Sequence, residues 1–312
     1  MTGRGRRPRW PDARQFDLTR PTSPWQYPLV AGRIALVTGG AGSIGAASCR
    51  ALADHGADVV VADLDADRTA AVVADVEERG RRAVGVAADL TAEGAVDELV
   101  ARAVDAFGRV DILVNALGHH LALSGPFERS TDEGWDRLYR INLLHVMQAS
   151  RAVVPGMRER GWGRIVNFSS VEGMRAMPNA APYTAFKGAV DSFTKSLGVE
   201  LAGSGIRVNC IAVDKTRSHQ VNFYELPEDY DRLVGVWVPA GRYGEGSDVA
   251  SVVLFLSSEL CAWVVGRTIP ADGGTLAAGG WYRTPNRWTN SPVLMQYYED
   301  AEVTARRPPN MR

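Results

Sequence analysis

A tyrosine and a lysine stand four residues apart in the segment APYTAFKGAVDSF, as Tyr183 and Lys187. If this segment is helical, the two side chains lie on one face of the helix. A tyrosine, with an ordinary pKa near ~10, is a poor base at neutral pH, but a neighbouring ammonium group favours its phenolate form. The chain has only three lysines, Lys187, Lys195 and Lys215, so this pairing is informative. Tyr183 and Lys187 are therefore candidates for proton transfer at an oxygen atom of a substrate.

A glycine-rich segment, VTGGAGSIGAA at residues 37–47, lies between an apolar run and a helical pattern. Its glycines fit two spacings, G-x-G-x-x-G and T-G-x-x-G-x-x-G, and either spacing alone is weak evidence. Glycines let the backbone approach a pyrophosphate, and the N-terminus of the following helix directs free N–H groups at the anion. The segment predicts a dinucleotide cradle. Its predicted contacts are Gly39, Gly42, Ser43, Ile44 and Gly45.

An acidic residue, Asp63, ends the apolar run DVVVAD, 18 residues after Gly45. A carboxylate at this point can bind the ribose hydroxyls of adenosine and repels a 2′-phosphate, which favours NAD over NADP. Alternatively, Asp63 only opens a solvated loop with Asp65 and Asp67. Further predicted cofactor contacts are Leu64 and, after the third apolar run, Asp89 and Leu90.

These residues sit in a regular alternation of apolar runs and amphipathic helices that begins at residue 33. The predicted strands are RIALVT, DVVVAD, RAVGVAA, DILVNA, RIVNFSS, RVNCIAV and RTIPADGG. The predicted helices lie near 43–55, 66–80 and 95–107, from about 132, from about 182, and near 248–258. Continuous apolar strands separated by helices predict an α/β fold, a doubly wound (Rossmann-type) seven-stranded parallel sheet in a single domain.

The predicted organisation has three parts. Residues 1–31 form an N-terminal arm, residues 32–275 form the NAD-binding catalytic domain with a substrate loop at about 214–240, and residues 276–312 form a C-terminal arm. Both arms carry tryptophan and proline without a sustained period. We expect them to pack as extended segments on the domain or on a neighbouring subunit.

Composition narrows the choice of partners. The net charge of −1 gives no reason to expect nucleic acid or an anionic membrane surface as a partner. No apolar run approaches the ~18 residues that span a bilayer. The three cysteines, Cys49, Cys210 and Cys261, are far apart in apolar segments, which favours buried thiols in a reducing cytoplasm.

The motifs together resemble the short-chain dehydrogenase/reductase family over about residues 32–275. In chain order they are TGGAGSIG, the acid at 63, ADLT, VNALG, INLL, IVNFSS, YTAFK and a late DGG. The resemblance implies a catalytic set of Asn142, Ser170, Tyr183 and Lys187. It implies that Ser170 and Tyr183 hold the oxygen of an alcohol or ketone, that Lys187 binds the nicotinamide ribose and lowers the pKa of Tyr183, and that Asn142 holds a water molecule.

The residues themselves give Asn142 a second interpretation. It falls in an apolar stripe of a helix that the pattern STDEGW begins, with Ser130 and Glu133 as a predicted capping box. A buried amide needs hydrogen-bond partners, and these could be ordinary inter-helix contacts as well as a bound water.

The chain departs from the family pattern at two points near the cofactor. The usual Asn-Asn-Ala-Gly is NALG, with Asn115 and Gly118 at its ends, and Asn115 stays a predicted cofactor contact. The usual Pro-Gly after the sixth strand is Val213-Asp214, which leaves the contacts of the nicotinamide carboxamide open. Ser218 stands near the position of a family threonine that binds this group.

Several charged and aromatic residues fall on the predicted substrate side. Lys215, Arg217, His119 and His120 could recognise an anionic or polyhydroxy substrate; alternatively, Arg217 pairs with Asp214 and the imidazoles face solvent. No cluster completes a metal site around the histidines, so no catalytic metal is expected. Aromatic residues of the substrate loop, Phe223, Tyr224, Tyr230 and Trp237, could line a pocket or pack against the core.

The sequence therefore predicts a cytoplasmic, NAD-dependent oxidoreductase that interconverts a secondary alcohol and a ketone. By family resemblance it is a homo-oligomer, a tetramer or a dimer. The alternatives are a 3-oxoacyl-(carrier protein) ketoreductase, a nucleotide-sugar epimerase or dehydratase, and a non-catalytic NAD-binding protein.

Overall fold

Seven parallel strands form the central sheet of the structure, a computed structural model that describes residues 28–218, 234–283 and 288–289. The strands are β1 (Ile34–Thr38), β2 (Asp58–Asp63), β3 (Ala83–Ala87), β4 (Ile112–Asn115), β5 (Gly163–Ser170), β6 (Ile206–Val213) and β7 (Thr268–Ala271). Their order in the sheet is β3-β2-β1-β4-β5-β6-β7. The predicted seven-stranded, doubly wound fold is confirmed.

Eight α-helices have both of their ends within the described residues. They are α1 (Ser43–Asp54), α2 (Ala66–Glu78), α3 (Ala95–Phe107), α4 (Asp132–Tyr139), α5 (His145–Arg160), α6 (Ala181–Leu201), α7 (Gly246–Ser257) and α8 (Thr275–Ala278). The predicted helices match them closely, with one difference. The long helix expected from about 132 is divided into α4 and α5 by a π-helical turn at Arg140–Leu144.

The start of α4 corrects the predicted capping box. Its N-cap is Thr131, whose hydroxyl accepts a hydrogen bond from the amide of Gly134 at 3.1 Å. Ser130 instead donates its hydroxyl to the carbonyl of Phe127 at 2.6 Å. The pattern offered two adjacent hydroxyl residues, and the chain uses the second.

Apolar side chains cover both faces of the sheet. One core joins the strands to α1, α2 and α7, through residues such as Leu52, Val76 and Val253. The other joins them to α3, α5 and α6, through residues such as Leu99 and Met157. Connections therefore leave β1 and β4 on opposite faces, and a crevice opens at the carboxyl ends of these two strands.

The segments next to the predicted arms are partly described. Val30 is buried before β1, and its amide donates to the carbonyl of His55 at 3.1 Å. After α8, the backbone of Tyr282–Arg283 (β8) pairs antiparallel with Trp288–Thr289 (β9). Most of both arms lies outside the described residues.

All three cysteines are free and buried, as predicted. No helix within the described ranges is long and apolar enough to cross a membrane.

The turn between α6 and β6 depends on a glycine. Gly205 has φ +76°, and a Cβ placed there would overlap the carbonyl oxygen of Gly161. We expect Gly205→Ala to lower the free energy of unfolding by about 1–3 kcal/mol, since both the backbone conformation and the space exclude a side chain. Gly203→Ala is the matched control, because a Cβ there meets nothing within 4 Å. Urea denaturation of both variants measures the effect, and equal midpoints would contradict it.

Candidate active site

A cavity of about 540 Å³ lies at the carboxyl ends of the central strands. The glycine-rich loop forms one end and the Tyr183–Lys187 pair lies at the other. The predicted site residues along its wall are Gly39, Gly42, Ser43, Ile44, Gly45, Asp63, Ser170, Tyr183, Lys187 and Ser218. The fold thus brings most of the predicted cofactor and catalytic residues to one cavity.

The glycine-rich loop is a cradle that side chains would fill. Gly39 has φ +65°, and a Cβ there would lie 2.7 Å from the backbone nitrogen of Leu117. A Cβ on Gly45 would overlap the carbonyl oxygen of Gly39. Helix α1 begins at Ser43, and no side chain caps its N-terminus. The N–H groups of its first turn therefore have no partner within the helix, and the loop fits a bound pyrophosphate.

Asp63 ends β2 beside this loop. Its Oδ2 accepts a hydrogen bond from the amide of Ala41 at 3.0 Å, and its Oδ1 accepts one from the amide of Asp65 at 3.2 Å. Asp63 is therefore part of the cradle and does more than open a solvated loop. Asp65 has the separate task of capping α2, where it accepts the amide of Arg68 at 3.0 Å.

Three other predicted cofactor contacts lie away from the cavity wall. Leu64 is 72% exposed, and Leu90 is buried in the core on the α3 face. The carboxylate of Asp89 closes a local turn by accepting the amide and hydroxyl of Thr91. Their part in cofactor binding stays a prediction.

Asn115 is the last residue of β4. Its side chain is fully buried within the sheet, where Nδ2 donates to Oδ1 of Asn167 at 2.9 Å. Asn167 in turn donates to the hydroxyl of Thr194 on α6 at 2.9 Å. The Asn115 side chain therefore ties β4 to β5, and the contact of Asn115 with a cofactor stays a prediction.

Ser170, Tyr183 and Lys187 meet at the other end of the cavity. Ser170 is the last residue of β5, and Tyr183 lies in the first turn of α6; both side chains line the same cavity. The Nζ atom of Lys187 lies 5.9 Å from the centre of the Tyr183 ring. It donates to the carbonyl of Phe168 at 3.2 Å. One helix and one strand end therefore position all three groups.

Burial governs the protonation of this set. Burial raises the pKa of Tyr183 to about 12. The charges of Glu172 and Asp214 add to the rise, and the neighbouring Ser170 side chain opposes it. Burial also lowers the pKa of Lys187 to about 8. The sequence predicts that the ammonium group keeps the pKa of Tyr183 low. Among the protein groups alone, desolvation outweighs that effect.

Asn142 acts through the backbone of His119. Asn142 lies in the π-helical turn and is completely buried. Its Oδ1 accepts the amide of His119 at 3.1 Å, while its Nδ2 donates to the carbonyls of His119 at 2.9 Å and Leu138 at 3.0 Å. The side chain is thus an inter-segment clamp, the second of the two interpretations that the sequence left open. The π-helical turn interrupts the regular backbone ladder here, which is the kind of place where a carbonyl can accept a water.

Gly118 brings this clamp close to the lysine. A Cβ on Gly118 would lie 2.7 Å from Nζ of Lys187 and 3.2 Å from Oδ1 of Asn142. A side chain at this position would displace Nζ of Lys187 and crowd Oδ1 of Asn142. Gly118, the last residue of NALG, therefore contributes to the active site by leaving room for the lysine.

An ionic network beneath the substrate side was not foreseen. Arg175 binds Oδ2 of Asp214 at 2.8 Å and Oε1 of Glu172 at 3.0 Å. The predicted pair of Asp214 with Arg217 is wrong, because Arg217 binds Glu245 at 3.2 Å. Asp214 and Arg175 are separated by 39 residues. Arg175 follows β5 and Asp214 follows β6, and the two residues meet because these strands pair in parallel and end side by side.

A second unforeseen network holds α6 against the sheet. The hydroxyl of Ser169 lies 2.9 Å from the carbonyl oxygen of Lys187 and 3.1 Å from Oδ2 of Asp191, so its one proton is shared between these two acceptors. Asp191 also accepts the hydroxyl of Thr268 on β7 at 2.9 Å. The sequence singled out Ser170 of the pair Ser169-Ser170; its neighbour fixes the helix that carries Tyr183.

The remaining predictions concern metal and the substrate loop. In the described part of the chain, no group of three or more His, Cys, Asp or Glu is placed to hold a metal ion. Phe223, Tyr224 and Tyr230 lie outside the described residues. Trp237 packs against the small apolar cluster that contains Val238.

The clamp by Asn142 can be tested by hydrogen–deuterium exchange. Asn142→Ala leaves the amide and carbonyl of His119 without these partners, and burial of unpaired groups costs about 1–3 kcal/mol each. We expect faster exchange of residues 118–122 and a lower free energy of unfolding. Asn209→Ala is the matched control, because Asn209 is a buried amide that bridges Val264 and Arg267 elsewhere. Unchanged exchange at 118–122 in the Asn142 variant would show that the clamp is dispensable.

Comparison with known proteins agrees with this geometry. A family model described as enoyl-(acyl carrier protein) reductase matches residues 39–275. The (2S)-[(R)-hydroxy(phenyl)methyl]succinyl-CoA dehydrogenase subunit of Thauera aromatica is 36% identical over 254 residues, covering 80% of this chain and 99% of that protein. The NAD(+)-linked 2-dehydro-3-deoxy-L-rhamnonate dehydrogenase of a Sphingomonas species is 36% identical over 244 residues, covering 78% and 95%.

The fold agrees with solved structures as well. The crystal structure of levodione reductase superimposes with a TM-score of 0.73 at 32% identity, covering 80% of this chain and 99% of that one. A match of this extent and identity, on a chain with the glycine cradle and the Ser-Tyr-Lys set in one cavity, establishes the relationship. The chain belongs to the short-chain dehydrogenase/reductase family, the oxidoreductases that act on CH–OH groups.

Proposed function

We propose that this oxidoreductase uses NAD to interconvert a secondary alcohol and a ketone, with Tyr183 as the general acid and base. One observation carries the proposal: Ser170, Tyr183 and Lys187 share a cavity with the glycine cradle and Asp63. A dinucleotide bound along this cavity has its pyrophosphate at α1 and its nicotinamide end near the hydroxyls of Ser170 and Tyr183. When bound, the nicotinamide ring accepts or supplies the hydride.

The protein groups manage the proton that accompanies the hydride. During reduction, Ser170 and Tyr183 hold the carbonyl oxygen, and the Tyr183 hydroxyl donates its proton to the oxygen as an alcohol forms. During oxidation, the Tyr183 phenolate accepts the hydroxyl proton of the alcohol. The positive charge of Lys187, 5.9 Å from the ring centre, supports the phenolate against the desolvation that opposes it. Asn142 positions the loop beside Lys187 and supports a water-linked path for the proton.

The choice of NAD rests on Asp63. Its carboxylate is held at the cavity wall by the amide of Ala41, in the place where a ribose 2′-hydroxyl is bound and a 2′-phosphate is repelled. The printed name of the Sphingomonas relative includes NAD(+), which agrees with this choice.

A carrier-protein ketoreductase using NADP is the second candidate. Arg68 also lines this end of the cavity and could meet a 2′-phosphate. However, Nε of Arg68 is bound to Oδ2 of Asp65 at 2.7 Å, which engages its charge. With Asp63 at the cavity wall and the charge of Arg68 engaged by Asp65, the site favours NAD over NADP.

Assembly and location follow from the family resemblance and from the buried thiols. We propose a dimer or tetramer, as family resemblance implies; the exposed side chains of Val199, on α6, and Trp263 supply apolar surface for a second copy. Three free, buried thiols are consistent with a cytoplasmic location.

Tyr183→Phe tests the catalytic role. Removal of the hydroxyl eliminates general acid–base help, so kcat is expected to fall by about 10²–10⁴-fold while the Kd for NAD is unchanged. Tyr139→Phe, on α4, is the control for loss of a tyrosine hydroxyl, because its ring packs on Phe186 away from the Ser170 hydroxyl. Steady-state rates followed by NADH absorbance measure both. Turnover of the Tyr183 variant equal to that of the control would overturn the assignment.

Asp63→Asn tests the cofactor choice. Loss of the carboxylate weakens ribose binding and removes repulsion of the 2′-phosphate, so the preference for NAD over NADP should fall about tenfold or more. Asp67→Asn removes the same charge from the exposed first turn of α2 and is the matched control. Fluorescence titration with both nucleotides gives the ratio of Kd values. Equal affinity of the unaltered enzyme for both, or equal effects of the two variants, would contradict the proposal.

A further inference from the structure

Two adjacent histidines, His119 and His120, occupy the wall of the active-site cavity next to the reacting groups. The ring of His120 meets the ring of Tyr183 edge-on, with centroids 6.4 Å apart, and the His119 ring lies 5.1 Å from that of His120. No step of the proton transfer uses them. Their hydrogen bonds show what they present to a substrate.

Hydrogen bonds from backbone N–H groups determine which nitrogen of each neutral imidazole carries the proton. Nδ1 of His119 accepts the amide of Leu121 at 2.7 Å, and Nδ1 of His120 accepts the amide of Ala122 at 2.9 Å. A nitrogen that accepts an N–H carries no proton in the neutral ring, so each imidazole holds its proton on Nε2. Each ring therefore has one N–H donor at the edge opposite the backbone bond.

The loop that carries the rings is held in an unfavourable conformation. Leu121 has φ +56° and Ala122 has φ +52°, in the left-handed region that side chains disfavour. The two imidazole bonds, together with the Asn142 clamp on His119, maintain this shape. Strain of this kind concentrates at functional sites, where the surrounding contacts maintain a required arrangement.

The charges near the rings are already paired. Glu172 and Asp214 share Arg175, and Lys215 lies 3.7 Å from Asp214. Burial and the neighbouring His120 lower the pKa of His119, which keeps this ring neutral. The rings thus offer N–H donors at a part of the wall where the two acids, Glu172 and Asp214, are matched by two bases, Arg175 and Lys215. This arrangement suits an uncharged oxygen acceptor.

We propose that His120, supported by His119, donates Nε2–H to a second oxygen of the substrate, so that the substrate class is a vicinal diol, hydroxyketone or dione. This inference rests on the proposed alcohol–ketone chemistry and specifies its substrate. Ser170 and Tyr183 hold the reacting oxygen. The Nε2–H group of His120, whose ring contacts the Tyr183 ring, holds the oxygen on the neighbouring carbon. His120 is then a specificity-determining residue whose effect appears only with substrates that carry this oxygen.

Two substitutions of His120 distinguish its Nε2–H donor from its Nδ1 bond to the Ala122 amide. In His120→Asn, the amide oxygen can replace Nδ1 as acceptor for the Ala122 amide, but the distal donor is lost. In His120→Gln, the amide nitrogen can replace the Nε2 donor, but the acceptor for the loop is lost. A purely structural histidine is better replaced by Asn, whereas a substrate-binding histidine is better replaced by Gln.

The experiment compares kcat/KM for cyclohexane-1,2-diol and cyclohexanol, and for the matched open-chain pair butane-2,3-diol and butan-2-ol, with NAD. We expect the unaltered enzyme to prefer each diol by about tenfold to a hundredfold, as one hydrogen bond to a substrate oxygen provides. His120→Asn should lose this preference, mainly through KM, while His120→Gln should retain most of it. Leu123→Ala, in the same loop, is the control and should keep the preference.

The outcomes separate this inference from the proposed function. Turnover of mono-alcohols as efficient as that of diols overturns the inference and leaves the alcohol–ketone chemistry intact. Equal loss on both members of each pair in the Gln variant, with the diol preference kept in the Asn variant, shows a structural histidine and also overturns it. If NAD binds and neither member of any pair is oxidised, and the corresponding diones are not reduced with NADH, the inference falls together with the proposed substrate chemistry.

Discussion

The crevice between β1 and β4 is the constraint on which the rest of this molecule depends. Right-handed connections place α1 and α3 on opposite faces of the parallel sheet, so no helix covers the carboxyl ends of these two strands. A long ligand can lie across the strand ends with one end at α1. The glycine cradle and the catalytic tyrosine are 138 or more residues apart in the chain, from Gly45 to Tyr183, and they share a wall only because of this topology.

Burial of charged and polar groups at this crevice sets the chemistry. Lys187 is almost fully enclosed, and desolvation lowers its pKa to about 8 while it raises that of Tyr183 to about 12. A lysine near neutrality responds strongly to a charge placed beside it, because little water remains to screen that charge. The carboxylates of Glu172 and Asp214 oppose ionisation of Tyr183, and the positive ring of an oxidised nicotinamide cofactor would favour it.

Polar side chains that bond to one another and to the backbone hold the elements of the site together. Ser169 and Asp191 fasten α6 to the sheet, and Asn142 fastens the His119 loop to the π-helical turn. Each joins segments that are far apart in the chain. Asp214 likewise joins distant segments. It stands where the family has a glycine and places a carboxylate at the end of β6, and Arg175 neutralises this carboxylate. A substitution that looks like a loss in the motif is therefore part of a complete ionic network.

Local patterns alone determined the strands, most helix limits, the glycine cradle, Asp63 and the Tyr183–Lys187 pair, because hydrophobic period and short spacing are properties of neighbouring residues. Tertiary structure alone decided which polar groups meet. The Asn115 side chain bonds Asn167 across the sheet, and Arg217, for which a pair with Asp214 was one alternative, binds Glu245. These partners come from different strand ends, and no spacing in the sequence encodes their distance. The pKa of Tyr183 has the same origin, since it depends on how much water the folded chain excludes.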